Sequence, residues 1–500
     1  MKRFLHSPAN VFWLCAGIYF LAWTIVPAFS LATIPIDTLE GYAWGHEWQL
    51  GSYKHPPLAA WISEALAALT QHANWTSYLA NELAVITTFW AVWQTGRRMV
   101  SETAALIGAL LLTVIPYYNI IIPEFNPNVL SLPFWALIGW SFHRAVKDDK
   151  IIDWLLLGLW AAASLYTKYS SALLLASLGG LMVWHPEARR HLKSIGPWLA
   201  LGVMTVLMAP HALWLIKNNF MPFTYAADRF EHLSYGRLAF IIVPALFIFW
   251  QAATVLPAAI LYVFSFGKPT KAYSFPSFDK TFLYFVTFGP AVIAGAVAIT
   301  TEGVIRNMWA TPFWNFIGLW AVFCFQPEMS PKALRRFAGL GSALFIAYLV
   351  GFFCVEALSP YITHKPKRIN LDGQYVADQI SQEWHNLYHQ PLRYVVGETF
   401  IGGVVAWYAP DRPHQLTDGD YKISPWIDPA ELKKYGGVIV WCGLRCDKLD
   451  APTPPAYIQS AFPQAQFQPP LVFPLPTGAR VPEGMVEWAI IPPGSFEEYP

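Results

Sequence analysis

The stretch Ile36–Trp61, IDTLEGYAWGHEWQLGSYKHPPLAAW, decides how the rest of the chain is read. It follows an apolar run, Val11 to Thr33, long enough to cross a bilayer, so it should emerge at a membrane surface. There it carries Asp37, Glu40 and Glu47, then Lys54, His55 and the pair Pro56-Pro57. Carboxylates against a bilayer are costly unless they have partners or a task. Two consecutive prolines cannot continue a helix and force extended backbone before them. The stretch therefore reads as a short helix bearing carboxylates, a rigid turn, and a new helix from Leu58. Asp37 and Glu40 are three apart and share one face of the first helix. The plainer alternative is a solvated interfacial helix with incidental charge.

Composition supports the membrane setting. The chain has 500 residues, 55% of them hydrophobic and only 13% charged, with 24 Trp. Soluble domains carry about 25% charged residues. A net charge of +1 gives no electrostatic case for nucleic acid. Cys15, Cys324 and Cys354 lie in apolar runs and read as small core residues. Cys442 and Cys446 form C-x3-C; a zinc site would need further ligands nearby, and a disulfide requires an oxidising compartment. The basic N-terminus and first apolar run read as an uncleaved first span rather than a signal peptide.

Eleven apolar runs are expected to span, from 11–33 to 336–357, with 58–70 too short and read as interfacial or re-entrant. Alternate loops test the count, because basic residues gather on the cytoplasmic side. Loops assigned inside carry sixteen Lys and Arg, among them Lys268, Lys271 and Lys280; short outside loops carry six, namely Lys54, Lys168, Lys217, Arg229, Arg237 and Arg306. This puts the N-terminus inside and the C-terminus outside. The outer loops also hold Pro123 to Asn128, too polar and proline-rich for helix, Lys168-Tyr169, the mixed stretch Lys217–Arg237, and Glu302 to Trp309. From about Ser359 the composition becomes that of a soluble domain. A helix is expected over Asp372–His389 and strands over Leu392–Val396, Gly436–Cys442 and Met485–Ile491. The expected architecture is an all-α membrane bundle, residues 1–358, followed by a soluble α/β domain outside, residues 359–500.

The outer polar set has a chemistry. Asp37 is the best general-base candidate, since a carboxylate in a partly dehydrated cleft gains proton affinity. Glu40 could bind the acceptor or hold Asp37. Lys54, His55, Lys168 and Arg306 are cations or potential cations on the same side, suited to phosphate. One carboxylate with several cations beside a lipid surface suits a lipid-phosphate donor with a carbohydrate head. Positive charge at the departing phosphate would stabilise the transition state. Trp44, Trp48, Tyr53, Trp309 and Trp314 could stack on sugars but read first as an interfacial aromatic belt. Lys168 has its own plain alternative, a snorkelling lysine at a helix end.

Asp37-x-x-Glu40 after the first span, then Tyr53-Lys54-His55-Pro56-Pro57-Leu58 and Trp61, resembles the first outer loop of the polyprenyl-phosphate-sugar glycosyltransferases of GT-C fold. That group includes protein O-mannosyltransferases, the aminoarabinose transferase of lipid A and lipopolysaccharide galacturonosyltransferases. Leu165 to Ser170 is similar to the group's Ser-Lys-Tyr or Thr-Lys-Gly element, and Asn307-Met308-Trp309-Ala310-x-Pro312 to its Asn-Trp-Pro-Ala element. The resemblance covers most of residues 1–355. It implies an inverting transfer from a polyprenyl-phosphate sugar to a lipid, glycan or protein acceptor at the outer face of a bacterial inner membrane. By the resemblance Asp37 would be the base and Lys168 the donor-phosphate ligand; from the outer polar set itself, Lys54 and Arg306 are expected as further phosphate contacts and His55, Tyr169 and Trp309 as substrate-binding residues. No cofactor or metal is expected. Two positions depart from the pattern: Thr38 where many members have Glu, and Lys54 where the mannosyltransferases have an acid. A cation at Lys54 fits an anionic acceptor or a second phosphate contact. Rival readings are a transporter or flippase of lipid-linked sugar, which would place ionisable groups near the midplane in repeated halves, and a non-catalytic envelope scaffold.

Overall fold

The structure, a computed structural model, describes residues 7–229, 239–267, 277–301, 306–364, 367–442, 454–474 and 483–494. Arg237, Lys268, Lys271, Glu302 and Cys446, all invoked above, lie outside the described residues. The chain divides into two compact units. The first comprises residues 1–24, 50–58 and 79–349; the second comprises 25–49, 59–78 and 350–500.

Long helices make up the first unit. In chain order the helices with residues in it are α1 (Pro8–Ser30), α4 (Thr76–Gly96), α5 (Glu102–Leu110), α6 (Pro127–Asp148), α7 (Ile151–Thr167), α8 (Ser171–Trp184), α9 (Pro186–Arg189), α10 (Gly196–Lys217), α11 (Met221–Arg229), α12 (Ala239–Phe266), α13 (Phe278–Thr301), α14 (Ile317–Phe325) and α15 (Pro331–Phe353). Between α1 and α4 come α2 (Ile36–His46), in the second unit, and α3 (Leu58–Leu69), whose first residue alone belongs to the first. Among the described residues, five helices are long and apolar enough to cross a membrane individually. A sixth span arises if the 3-10 segment Asn307–Trp314 and α14, bent by 47°, count as one. Apolar helices of this kind satisfy their own backbone hydrogen bonds, which is what a bilayer demands.

Local chemistry explains several boundaries. Asn126 caps α6, its side chain accepting from the Asn128 and Val129 N–H groups, and Pro127 occupies the first turn, where its missing donor costs nothing. The expectation that 123–128 avoids helix therefore fails at its last two residues. α7 and α8 are separated by a break at Lys168–Ser170, where Lys168 is extended (φ −160°). Gly318 lets α14 meet α5 backbone to backbone: a Cβ there would sit 2.2 Å from the Gly108 carbonyl oxygen. Rings fill the remaining space, as where Phe12 stacks on Trp93 at 4.7 Å.

A six-stranded sheet lies at the centre of the second unit. Its strands are β1 (Tyr394–Gly397), β2 (His414–Thr417), β3 (Gly437–Trp441), β4 (Gln466–Phe467), β5 (Leu471–Pro474) and β6 (Glu483–Ile491). The order is β2-β1-β3-β6-β4, with β5 also on β6. β1 is parallel to β2 and β3, and β6 runs antiparallel to β3. β1 and β3 are wholly buried, as parallel strands covered on both faces must be. After the short helix α16 (Ser359–Thr363), α17 (Gly373–Tyr388) and α18 (Thr399–Tyr408) pack on one face against Val395, Val438 and Val440. On the other, α19 (Pro429–Tyr435) and α20 (Ala456–Ala461) supply Leu432 and Ile458 against Val396 and Ile439. The first core also contains Ile34, Leu39, Tyr42 and Ala67, from the segment around α2 and α3.

Candidate active site

Six of the eight sequence-predicted site residues, Lys54, His55, Lys168, Tyr169, Arg306 and Trp309, belong to the first unit; Asp37 and Glu40 belong to the second. Each group is described within its own unit.

In the first unit, the loop before Pro56 is a tight turn closed on Ser52. Its hydroxyl accepts from the N–H groups of Lys54 and His55, at 3.4 and 3.1 Å, and its own N–H donates to the His55 carbonyl at 3.0 Å. His211 on α10 anchors the loop's start. Its Nδ1 lies 2.6 Å from the Leu50 carbonyl oxygen, so Nδ1 carries the proton. Nε2 is then an acceptor, and the Tyr169 hydroxyl donates to it at 2.9 Å. Tyr169 is thereby fixed beside the α7–α8 break.

Lys168 leaves the end of α7 and donates to Asn128 Oδ1 near the start of α6. Its ammonium also sits 5.8 Å from the Trp309 ring centroid. Lys54 lies over the rings of Tyr53 and Tyr225, at 5.1 and 5.7 Å. Burial first, and then the positive fields of Lys168 and Lys54, together push the His55 imidazole down to about 3. His55 is thus neutral at working pH, within the electrostatic reach of both lysines. This arrangement suits an anion: fixed positive charge with rings and a neutral imidazole beside it.

Trp309 is placed by the 3-10 segment Asn307–Trp314. Arg306 is exposed at its start and its carbonyl accepts from the Trp309 N–H at 2.9 Å. Gln251 on α12 accepts from Trp314 Nε1 at 2.9 Å, and the Tyr117 hydroxyl donates to the Asn307 carbonyl at 2.6 Å. Asn315 accepts from Tyr118 at 2.6 Å and donates to the Leu132 carbonyl at 2.8 Å. Trp314 is therefore a buried structural ring, 8% exposed, and not part of an aromatic belt.

In the second unit, Asp37 sits in the first turn of α2, partly buried, and Glu40 one turn on is 8% exposed. An acid in a first turn also complements the helix dipole, which is the plain reason to find one there. At the far end of α2, Glu47 Oε1 lies 2.7 Å from His414 Nδ1. Glu64 on α3 receives both terminal nitrogens of Arg412 at 3.1 Å each, with His46 at 3.6 Å. Desolvation works against the Glu64 carboxylate, but the His46 and Arg412 contacts outweigh it and hold the group at about 2.

Sequence reasoning missed Asn128, His211, Gln251 and the Arg412–Glu64 pair. The signal for two of them was present. His211 and Gln251 are polar residues inside long apolar helices, and such residues face the bundle interior with a partner.

Residues 54–214 match the family described as dolichyl-phosphate-mannose-protein mannosyltransferase. Lipopolysaccharide core galacturonosyltransferase RgtA of Rhizobium johnstonii is 22% identical over 458 residues, which cover 86% of this chain and 87% of that protein. Lipopolysaccharide core galacturonosyltransferase RgtB of the same organism is 21% identical over 451 residues, with the same coverage. The crystal structure of ArnT from Cupriavidus metallidurans bound to undecaprenyl phosphate superposes with a TM-score of 0.60 at 13% identity, covering 96% of this chain and 97% of that one. This multi-pass membrane chain thus has the GT-C fold and is similar along most of its length to glycosyltransferases.

Proposed function

We propose that this glycosyltransferase moves a monosaccharide from a polyprenyl-phosphate carrier to lipopolysaccharide at the periplasmic face of a bacterial inner membrane. The observation that carries the reading is Lys168, held by Asn128 and Trp309, with Lys54 over the Tyr53 and Tyr225 rings and the positive charge of both felt at a neutral His55. These cations fit the phosphate of a lipid carrier, and an undecaprenyl phosphate complex exists for a protein of the same fold. The relatives named as lipopolysaccharide galacturonosyltransferases make galacturonic acid the first donor sugar to test. A uronic carboxylate or an anionic acceptor would also account for Lys54 where mannosyltransferases carry an acid.

In this mechanism Asp37 takes the proton of the acceptor hydroxyl as its oxygen attacks the anomeric carbon. The polyprenyl phosphate leaves with the bonding electron pair, and the configuration inverts. Lys168, with Lys54 and Arg306, stabilises the negative charge that develops on the departing phosphate. His55, Tyr169 and Trp309 line the donor, and Glu40 binds the acceptor or orients Asp37. Residues 1–358 form the membrane domain and 359–500 the periplasmic one. The sixteen-to-six distribution of basic residues supports that orientation. So does the disulfide at Cys442, which belongs in an oxidising compartment.

The test is transfer from undecaprenyl-phosphate-linked galacturonic acid to purified lipopolysaccharide, with Asp37→Asn beside the parent. Asp37→Asn keeps size and hydrogen bonding but removes the proton acceptor. A general base of this kind is worth roughly 10²–10⁴-fold in turnover. A variant as fast as the parent would remove Asp37 from the role.

A further inference from the structure

The helix that carries Asp37 is built into the hydrophobic core of the C-terminal segment, and that segment grips it at its start, along its side and at its end. At the start, the N–H groups of Ala32 and Thr33 both donate to the Ile369 carbonyl at 3.1 Å. The Ile34 N–H donates to the Tyr408 hydroxyl at 3.1 Å, and Thr33 Oγ1 donates to the Leu371 carbonyl. Along the side, Leu39 lies against Gly403 of α18, where a Cβ would be 3.2 Å from the Leu39 Cβ. Tyr42 stacks on Trp407 at 3.8 Å and 24°. At the end, His414 takes Glu47, and Arg412 forks onto Glu64, which also faces His46.

Helix α2 has 11 residues and no side-chain hydrogen bond at its N-cap. A helix this short is marginal by itself in water, so tertiary contacts dictate where it sits. We infer that α18 and the turn after it set the placement of Asp37 for catalysis, with Gly403, Trp407 and Arg412 as positioning residues. The inference rests on Asp37 being the base. The contacts are of the kind that transmit small displacements: a backbone-close approach at Gly403, a face-to-face ring pair, and a two-point fork. A displacement of about 1 Å in a reacting group costs on the order of 10²-fold in rate. Gly403, Trp407 and Arg412 lie in the segment between residues 399 and 413, far from Asp37 in sequence, and none of them touches the reacting atoms in this scheme.

The experiment uses the full-length enzyme with undecaprenyl-phosphate-linked galacturonic acid and lipopolysaccharide. Gly403→Leu pushes on Leu39. Expected is a kcat lower by about 10–100-fold at a donor KM within a factor of two. The double variant Gly403→Leu/Leu39→Gly removes the Cβ that the new side chain meets and should recover kcat to within about five-fold. Added to Asp37→Asn, Gly403→Leu should cost less than about three-fold more, because both act on the same step. A folded Gly403→Leu enzyme with parental kcat overturns the inference, as does a loss that appears only in donor KM. If Gly403→Leu does not fold, Arg412→Gln decides: lowered kcat, recovered by the exchange Arg412→Glu/Glu64→Arg, supports positioning, and parental kcat overturns it. The two readings fail separately. Full activity of Asp37→Asn removes the base, whereas full activity of Gly403→Leu removes the positioning.

Discussion

Replacing Lys168 by Ala should weaken donor binding by roughly 10–150-fold, the range for one hydrogen bond to a charged group of about 1.5–3 kcal/mol. The lower half is expected, because Lys168 is only partly buried and solvent screens the contact. The ammonium reaches the site between the Asn128 amide and the Trp309 ring, so a phosphate oxygen would meet a group already oriented by its neighbours. Lys168→Arg keeps the charge but brings a planar fork where a compact ammonium stood, and should retain part of the affinity. A second signature comes from His55, whose protonation the Lys168 charge opposes. Removing that charge should raise the His55 pKa from about 3; burial should still hold it below the range of an exposed histidine, and the Arg variant should leave it low. Titration calorimetry with undecaprenyl phosphate, and imidazole shifts followed by NMR against pH, read the two effects. An Ala variant that binds undecaprenyl phosphate as tightly as the parent at both low and high salt would refute the phosphate role and leave a snorkelling lysine.

The Glu64–Arg412 fork should make the second unit acid-sensitive. Folding holds Glu64 near 2, below its ordinary 4.5. Its contribution, about 3 kcal/mol by linkage, is complete above pH 4.5 and is lost as pH falls towards 2. Thermal melts between pH 5 and 3 should therefore slope less in Glu64→Gln. His414 is raised by its Glu47 hydrogen bond, so its share of stability is present below about pH 6.5 and fades as pH rises above that; His414→Gln should flatten that limb of the melting curve. Gln251→Leu strips the Trp314 indole of its acceptor inside the bundle and should cost about 1–3 kcal/mol in stability; a Leu variant with a parental melting temperature would show the contact is not needed. Cys442 is disulfide-bonded and should resist maleimide until reduced, then label.

Apolar run length was enough to find helical structure in each expected run, because a bilayer leaves the backbone no other way to pair its polar groups, but among the described residues only five of the helices, or six with the bent pair, are long and apolar enough to cross. The Asp37 helix and the restart at Leu58 were legible for a local reason, the Pro56-Pro57 pair. Central strands β1, β3 and β6 announced themselves as β-branched runs. α18, Thr399–Tyr408, did not: ten mostly apolar residues with paired glycines carry no helical period, since every side of that helix is covered. The partners of site residues were also silent. Asn128, His211 and Arg412 reach groups 40, 161 and 348 positions away. Local pattern contains nothing about such pairings. Trp314 misled for a related reason, as an indole near a span end reads the same whether it faces headgroups or a buried glutamine.

The bent pair formed by Asn307–Trp314 and α14 has a consequence for how the protein is made. A 3-10 segment leaves carbonyls that hydrocarbon cannot satisfy, so this stretch is a poor passenger if released alone into lipid. Tyr117 donates to its Asn307 carbonyl, Gln251 accepts from its Trp314 indole and Tyr118 holds the Asn315 side chain that follows, and all three precede the stretch in the chain. By the time residues 307–325 leave the ribosome, the surface that receives them has already been synthesised. The order of the genetic message thus matches the order of assembly, and this irregular stretch can pass directly into a prepared berth.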